Sequence, residues 1–241
     1  MGHILVTGSS RGIGKAALAA LAARGAKVIG HASRAGVQGA GEVPIIAADF
    51  GDPLAAQSLW DRALDLADGE IDAVVNNAGR FEANRLDRSD IEWLDAWEDT
   101  MRVNLTSAAQ LSRLAVLHWQ KRGFAGRLVH VASRAAYRGD SPAHWHYAAA
   151  KSGMVGMHKT IARAYAKDGI LSFAVTPGFT DTSMADDYLA SRGGPGLLAD
   201  IPLGRVATPE EIASIIAFCA LDAPPSMTGA VIDANGASFV R

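Results

Sequence analysis

The chain lacks several features that would point at once to particular classes of protein. It has a single cysteine, Cys219, and therefore cannot form an internal disulfide. Its 23 Lys and Arg residues do not outnumber its 25 Asp and Glu residues, so there is no basic excess for nucleic acid. The longest uninterrupted apolar stretch, residues 215–221, is far shorter than the roughly 20 residues that a membrane-spanning helix needs. We therefore expect neither a nucleic-acid-binding protein nor a membrane protein.

The length and composition are those of a single globular domain. With 241 residues, of which 49% are hydrophobic and 20% charged, the chain can bury a large core, and we expect one domain over residues 1–241. No charged leader followed by an apolar segment precedes the first strand-like run, so we expect a cytoplasmic protein. Cys219 lies in an apolar helical segment and is interpreted as a small buried hydrophobic residue.

Short apolar runs of strand type alternate along the whole chain with longer segments of helical pattern. Such alternation predicts an α/β fold in which a parallel sheet of seven strands is covered by helices on both faces. The predicted strands are residues 3–7, 27–31, 43–47, 71–75, 127–132, 170–175 and 230–233. The helical region 90–122 is predicted to be interrupted near Asn104, and Thr208 followed by Pro209 predicts a helix start.

A glycine-rich turn follows the first strand directly. Gly8, Gly12 and Gly14 fall within seven residues, and a helical segment begins at Lys15. Such a turn directs backbone N–H groups and the positive end of a helix at one point, which favours a bound phosphate. A Walker A loop is excluded because Ala16 stands where a magnesium-binding hydroxyl is needed. An ordinary strand-to-helix turn remains the alternative, although it would not need three glycines.

A tyrosine and a lysine stand one helical turn apart in the second half of the chain. Tyr147 and Lys151 would lie on the same face of a helix, and Ser133 precedes the tyrosine by fourteen positions. A free tyrosine has a pKa of about 10, and a neighbouring cation lowers that pKa. The pair therefore predicts an activated proton donor and acceptor. The spacing alone is weak support, because it arises often by chance.

Together these motifs resemble one enzyme family over residues 3–241. They occur in the order and spacing of the short-chain dehydrogenase/reductases, and within that family the chain is most similar to the 3-oxoacyl-(acyl-carrier-protein) reductases. The resemblance implies a doubly wound Rossmann fold and an oxidoreductase that moves hydride between a nicotinamide cofactor and a CH–OH or C=O group. The motif residues are Thr7, Gly8, Gly12, Gly14, Asn76, Asn77, Ala78, Gly79, Asn104, Ser133, Tyr147, Lys151, Pro177 and Gly178.

The resemblance also implies a role for each catalytic residue. Tyr147 would donate a proton to the substrate oxygen, and Ser133 would hold that oxygen in place. Lys151 would lower the tyrosine pKa and bind the nicotinamide ribose. Asn104 would interrupt the long helix and hold a water of the proton relay.

The segment after the second strand bears on the choice between NADP(H) and NAD(H). No acidic residue follows His31 there, whereas Ser33 and Arg34 offer a hydroxyl and a cation, and Arg11 of the glycine turn could reach the same phosphate. We expect NADP(H), with NAD(H) as the alternative and Arg34 equally interpretable as a solvated loop charge. The predicted cofactor-binding residues are Gly8, Ser10, Arg11, Gly12, Ile13, Gly14, Ser33, Arg34, Asp49, Phe50, Asn77, Ala78, Gly79, Tyr147, Lys151, Pro177, Gly178, Thr180 and Thr182.

The substrate side departs from the family pattern. The segment between Ser133 and Tyr147 is one residue longer than in most carrier-protein reductases, and we expect Trp145 and His144 to form part of the pocket wall. No metal is expected, because His144 and His146 have no further ligand at suitable spacing. Residues 180–205 are interpreted as a substrate lid, for which a surface loop is the alternative.

Three functions remain open. The first is an NADPH-dependent reductase of a ketone such as a 3-oxoacyl thioester, and the second is an NAD(P)-dependent dehydrogenase of a secondary alcohol or sugar. The third is a non-catalytic nucleotide sensor, although a binding protein would not need an activated phenol. The resemblance also implies a homotetramer formed by helices around residues 90–122 and 146–167. Trp93, Trp97 and Trp119 would then lie at its interfaces, or else in the monomer core.

Overall fold

The computed structural model describes residues 2–37, 43–181 and 194–241, and its central element is a seven-stranded parallel sheet. The strand order is β3-β2-β1-β4-β5-β6-β7, and every neighbouring pair is parallel. The strands are β1 (His3–Val6), β2 (Lys27–Ala32), β3 (Ile45–Ala47), β4 (Ile71–Asn76), β5 (Gly126–Val131), β6 (Ile170–Pro177) and β7 (Val231–Ala234).

Helices connect the strands and cover the sheet. The described helices are α1 (Gly12–Ala23), α2 (Ala55–Leu66), α3 (Asp90–Met101), α4 (Ser107–Arg122), α5 (Ala135–Arg138), α6 (Trp145–Tyr165), α7 (Gly194–Ala199) and α8 (Pro209–Leu221). A π-helical turn, Arg102–Thr106, joins α3 to α4, and 3-10 turns lie at Ala166–Asp168 and Pro225–Met227.

Alternate strand residues supply two separate hydrophobic cores, one on each face of the sheet. Ile4 and Val6 of β1 pack in the core that α1 and α8 cover, whereas Leu5 packs with α2 and α4 on the opposite face. This division follows from the alternation of side chains along a strand, and it explains why the strands are apolar throughout. The predicted doubly wound fold with seven parallel strands is confirmed.

The strand order reverses between β1 and β4, and this reversal places the site. From β1 the chain winds through β2 to β3 on one side, and then returns to the other side of β1 to form β4. In such sheets ligands bind at the reversal, beyond the carboxyl ends of the strands. The glycine turn after β1 and the motif at residues 76–79 after β4 both lie at that edge.

Several local predictions can be compared with the elements. The long helical region is interrupted at the π-helical turn, of which Asn104 is the central residue. Thr208 caps α8, since its hydroxyl accepts from the Glu211 N–H while the Glu211 carboxylate accepts from the Thr208 N–H. Helix α1 begins at Gly12, three residues earlier than predicted, because the turn glycines already belong to its first turn.

Two further predictions concern the surface of the molecule. Of the predicted lid 180–205, residues 182–193 lie outside the described residues, and residues 194–199 form α7. Trp119 is 1% exposed and its indole N–H donates to the Ile71 carbonyl, so this tryptophan belongs to the monomer core. Among the described helices, none combines the length and apolar character required to cross a membrane.

Candidate active site

A cavity of about 640 Å³ opens at the carboxyl edge of the sheet. It extends from the glycine turn after β1, past the ends of β2 and β4, to the residues that follow β5 and β6. Every predicted cofactor position lines it except Thr182, which lies outside the described residues. Residues far apart in sequence are therefore brought together here by the parallel strands.

The glycine turn has the shape of a phosphate cradle. Gly8 and Gly12 have φ angles of 65° and 52°, in the left-handed region that favours glycine. A Cβ atom on Gly8 would lie 2.7 Å from the Ala78 Cα, and one on Gly14 would overlap the Gly8 carbonyl oxygen. Only glycines keep the N-terminus of α1 this close to the end of β4. The turn therefore fits the diphosphate of a dinucleotide.

Side-chain hydrogen bonds hold the ends of β1 and β4 together. The Asn77 side-chain amide donates to the Thr7 and Gly8 carbonyls at 2.9 and 3.1 Å. The Thr7 hydroxyl accepts from the backbone N–H groups of Asn77 and Ala78, both at 3.0 Å. These residues shape the floor of the cavity, which explains why small and amide side chains occur at this position.

His31 was not predicted as a site residue, although it lines the cavity at the end of β2. Its ring nitrogens contact the Gly8 N–H at 3.1 Å and the Ala48 carbonyl at 2.7 Å, and its ring stacks on Phe50. Burial lowers the pKa of His31 below its usual range, against smaller opposing effects of the hydrogen bond to the Ala48 carbonyl and of Asp49. The one signal in the sequence is its position at the end of the second strand, at the edge of the sheet where parallel strands place a ligand.

The end of the cavity beside β2 carries two cationic side chains. Arg11, Ser33 and Arg34 are exposed and line this end, so it carries two guanidinium groups and a hydroxyl, which are chemically suited to a phosphate. Asp49 is also exposed at this end, and its carboxylate accepts from the Gly51 N–H at 3.0 Å.

Tyr147, Ser133 and Lys151 meet at the opposite end of the cavity. Ser133 follows β5, and its hydroxyl accepts from the Ala135 N–H at 3.1 Å. The same hydroxyl acts to lower the pKa of the Tyr147 phenol. Tyr147 and Lys151 lie on one face of α6, with the ammonium 5.9 Å from the centre of the phenol ring. The Lys151 ammonium donates to the Val131 carbonyl at 2.7 Å, which fixes it beside the end of β5.

The pKa of Tyr147 differs from the sequence prediction. Burial raises it to about 12, and the hydrogen bond from Ser133 only partly opposes this effect. Burial also lowers the pKa of Lys151 to about 8. Removal from water disfavours the charged form of both groups. The Lys151 ammonium lies 5.9 Å from the centre of the phenol ring, and without a bound cofactor it does not bring the pKa of Tyr147 below its ordinary value.

Asn104 lies behind the cavity wall rather than in it. Its side chain accepts from the Arg80 N–H at 2.8 Å and donates to the Arg80 carbonyl at 2.9 Å. A Cβ atom on Gly79 would lie 3.5 Å from the Asn104 side-chain oxygen and 3.7 Å from the Lys151 ammonium nitrogen. In this structure Asn104 therefore positions the loop after β4 next to Lys151, and the relay water remains a prediction.

Of the residues expected at the substrate pocket, Ser133 lines the cavity beside Tyr147, and a residue that was not predicted, Phe81, adds to the wall. Phe81 lines the cavity and packs edge-on against Tyr147, with ring centres 4.7 Å apart. His144 is stacked on Phe81, with ring centres 3.9 Å apart. Among the residues that the structure describes, those lining the cavity do not include His144. Trp145 is 54% exposed at the start of α6, and it too is absent from the described part of the lining. The helix directs it away from the face that carries Tyr147.

Charged and aromatic residues complete this end of the cavity. Arg134 and Asp140 both line it, and the Arg134 guanidinium lies 4.6 Å from the centre of the Phe179 ring. The substrate end is therefore polar as well as aromatic. Within the described residues, no group of three or more His, Cys, Asp or Glu side chains is arranged to hold a metal ion.

Comparison with known proteins agrees with this geometry. The family model for enoyl-(acyl carrier protein) reductases matches residues 8–236. The 3-oxoacyl-(acyl-carrier-protein) reductase FabG of Escherichia coli (strain K12) is 36% identical over 250 residues, which cover 98% of this chain and 96% of that protein.

Solved structures give the same result. A protein of Agrobacterium tumefaciens, assigned as a 2-deoxy-D-gluconate 3-dehydrogenase and solved with bound NADP, has a TM-score of 0.86 and 29% identity, covering 100% of this chain and 97% of that one. A protein of Beutenbergia cavernae, assigned as an NAD(P)-dependent gluconate 5-dehydrogenase, has a TM-score of 0.88 and 29% identity, covering 98% and 95%. The chain is an oxidoreductase and belongs to the short-chain dehydrogenase/reductase family.

Proposed function

We propose that the protein reduces a ketone with NADPH and that Tyr147 donates the proton. The observation that carries this proposal is that Ser133, Tyr147 and Lys151 line one end of a cavity whose other end carries Arg11 and Arg34, with the Ser133 hydroxyl acting on the Tyr147 phenol. A cofactor extending from the glycine turn would bring its nicotinamide toward Tyr147.

Tyr147, Ser133 and Lys151 have different roles in the proposed reduction. The bound cofactor supplies the hydride. Negative charge then develops on the substrate oxygen, where the Tyr147 phenol donates its proton and Ser133 donates a hydrogen bond. Lys151 places a positive charge beside this oxygen, and the Val131 carbonyl keeps the ammonium in place.

The protonation state of Tyr147 favours reduction over oxidation. With a pKa of about 12, the phenol keeps its proton at neutral pH and can donate it to a ketone. Oxidation of an alcohol would require the phenolate, which burial disfavours.

The cofactor proposal is NADP(H) rather than NAD(H). Replacing Arg11 by Ala removes one cation near the adenosine ribose, and a charge-assisted hydrogen bond contributes about 1.5–3 kcal/mol. We expect Arg11→Ala to raise the KM for NADPH about tenfold or more and to leave the KM for NADH nearly unchanged. Lys27→Ala is the matched control, because Lys27 is exposed at the far end of β2. Equal effects of Arg11→Ala on both cofactors would contradict the proposal.

A second candidate activity is oxidation of a sugar acid or other secondary alcohol. It is favoured by the structural neighbours assigned as gluconate dehydrogenases and by Arg134 and Asp140 in the substrate wall, which suit a polar substrate. We place it second because it requires the ionised form of Tyr147.

A substrate panel separates these candidates. NADPH oxidation is measured with 3-oxoacyl thioesters, keto-sugar acids and cyclic ketones, and the reverse reaction with the corresponding alcohols. A 2-enoyl thioester serves as a control for reduction of C=C bonds. We expect turnover with at least one ketone, and faster reduction than oxidation at neutral pH. Turnover of the enoyl thioester alone, or of no compound, would overturn the proposed function.

A further inference from the structure

We propose that His31 is a positioning residue of the dinucleotide site and that cofactor binding requires its ring to bridge the glycine turn and the loop after β3. The inference rests on the proposed function, because it takes the cavity to bind a nicotinamide dinucleotide. It adds a residue that lies outside the glycine motif and outside the catalytic group.

The hydrogen bonds of His31 fix the tautomer of its ring. Nε2 lies 2.7 Å from the Ala48 carbonyl oxygen, which can only accept, so Nε2 carries a hydrogen. Nδ1 accepts from the Gly8 N–H at 3.1 Å, so it carries none. The neutral ring thus uses one nitrogen as donor and the other as acceptor, and each role is set by a backbone group.

The same residue holds three parts of the cofactor site together. Its backbone N–H donates to the Ser9 hydroxyl at 2.9 Å, and its carbonyl accepts from the Ser9 N–H at 2.8 Å. Its ring stacks on Phe50 with centres 4.4 Å apart, and both rings line the cavity. His31 is 2% exposed, so these contacts are protected from water. His31 therefore connects the glycine turn, the end of β2 and the loop after β3.

Protonation would break this arrangement. A charged imidazole has donors at both nitrogens, so Nδ1–H would face the Gly8 N–H instead of accepting from it. Asp49 is the charged group that favours the cation, whereas Gly8, Ser9, Ala48 and Phe50 are neutral. The hydrogen bond to the Ala48 carbonyl also favours the charged ring, but burial outweighs both this bond and Asp49 and keeps the pKa of the ring below its ordinary value. Dinucleotide affinity should therefore be level near neutral pH and fall at acid pH.

Two substitutions separate the ring's roles. His31→Asn places an oxygen near the position of Nδ1, which can accept from the Gly8 N–H but does not titrate. His31→Phe keeps a ring to stack on Phe50 but removes both hydrogen bonds. The dissociation constants of NADPH and NADH are measured by nucleotide fluorescence from about pH 4 to about pH 8, a range that extends well below the ordinary histidine pKa because burial lowers the pKa of His31. NADH is needed because a phosphate monoester itself titrates near pH 6.

The expected result is a difference between wild type and His31→Asn that depends on pH. The ratio of their dissociation constants should be level near neutral pH and change toward acid by up to about tenfold per pH unit, with both nucleotides. His31→Phe should bind both nucleotides about tenfold more weakly than wild type near neutral pH, and this deficit should shrink toward acid as the wild-type ring is protonated; circular dichroism confirms that the variant is folded. If it does not fold, the comparison with His31→Asn still decides.

A ratio that stays level with both nucleotides would overturn the role of His31, whereas wild-type binding would leave the proposed function intact. If the wild-type protein bound neither nucleotide at any pH, the proposed function would fail together with the inference. Failure of the two claims is thus distinguished by the wild-type binding curve.

Discussion

At the scale of single residues, burial determines what Tyr147 and Lys151 can do. Their four-residue spacing is visible in the sequence, and the helix places them on one face as predicted. Their ionisation was not predictable, because it depends on how much water the folded protein removes from each group. The sequence suggested a tyrosine with a lowered pKa, whereas burial in the structure raises it to about 12.

The lowered pKa of Lys151 predicts a pH dependence. The ammonium is charged below about pH 8 and neutral above it, so the positive charge beside the substrate oxygen is lost as the pH rises through that value. We expect kcat/KM for NADPH, which reports ionisations of the free enzyme, to fall above about pH 8 by about tenfold per pH unit. The measurement is a pH series at saturating ketone.

Tyr147 should not contribute to this limb, because its pKa is about 12. A profile that stays level to about pH 10, where an ordinary lysine titrates, would contradict the role given to Lys151.

Residues identified by a backbone requirement were the easiest to predict. Gly8, Gly12 and Gly14 are needed because their backbone has a positive φ angle or lies too close to other atoms for a Cβ. A glycine motif in the sequence therefore indicates these positions directly. His31 and Phe81 belong to the site because they contact segments that are distant in the sequence. No local sequence pattern predicts such contacts.

At the scale of elements, the π-helical turn is where local structure and the site are coupled. The extra residue in the turn directs Asn104 at the backbone of Arg80, beside Gly79 and Lys151. Such turns are rare and often lie at functional sites. The sequence indicated an interruption near Asn104, but the partner of its side chain follows from tertiary packing of α3 and α4 against the loop after β4.

Replacing Asn104 by Ala should weaken this coupling. Two partly buried backbone groups of Arg80 would lose their partner, and the cost of leaving a buried group unsatisfied, about 1–3 kcal/mol, is the upper bound for each. We expect a lower free energy of unfolding in urea and a loss in kcat that exceeds any change in the KM for NADPH. Gln110→Ala is a control, since Gln110 lies on the same helical region and its side-chain amide donates to the Pro53 carbonyl at the surface. An Asn104→Ala protein with unchanged kcat would refute the positioning role.

At the scale of the whole molecule, apolar side chains remain uncovered on the helices expected to form an assembly. Ile91 and Leu94 of α3 are 74% and 51% exposed, and Leu117 of α4 is 49% exposed. We propose a homotetramer in which these helices pack against their copies, since exposed apolar side chains on neighbouring helices suit a protein interface. Trp93 and Trp97 stack on each other beside this surface, with ring centres 5.3 Å apart.

Charged substitutions test the assembly. We expect the wild-type protein to be tetrameric by size-exclusion chromatography with light scattering, and the double substitution Ile91→Glu with Leu94→Glu to give smaller species at the same concentration. Leu54→Glu is the control, because Leu54 is 72% exposed but precedes α2, outside the proposed interface. A wild-type protein that is monomeric at all concentrations would contradict the tetramer.

The sequence pattern predicted the fold of the whole chain more accurately than it predicted the residues at the substrate end of the site. All seven strands were predicted to within two residues at each end, because parallel strands buried on both faces are continuous apolar runs. Trp145 was expected in the pocket wall, but the orientation of α6 exposes it and leaves Phe81 in contact with Tyr147. Residues 182–193 lie outside the described residues, so the predicted lid, including Thr182, stays a prediction.

The most direct test of the central claim is single-turnover oxidation of bound NADPH by a ketone in the wild-type and Tyr147→Phe proteins. Phenylalanine keeps the ring beside Phe81 but removes the proton donor and the hydrogen bond to Ser133. With nucleotide occupancy matched by fluorescence, the account predicts a rate about 10²–10⁴-fold lower for Tyr147→Phe, the range expected for loss of a general acid, and an unchanged dissociation constant for NADPH. A Tyr147→Phe protein that oxidises NADPH at the wild-type rate would contradict it.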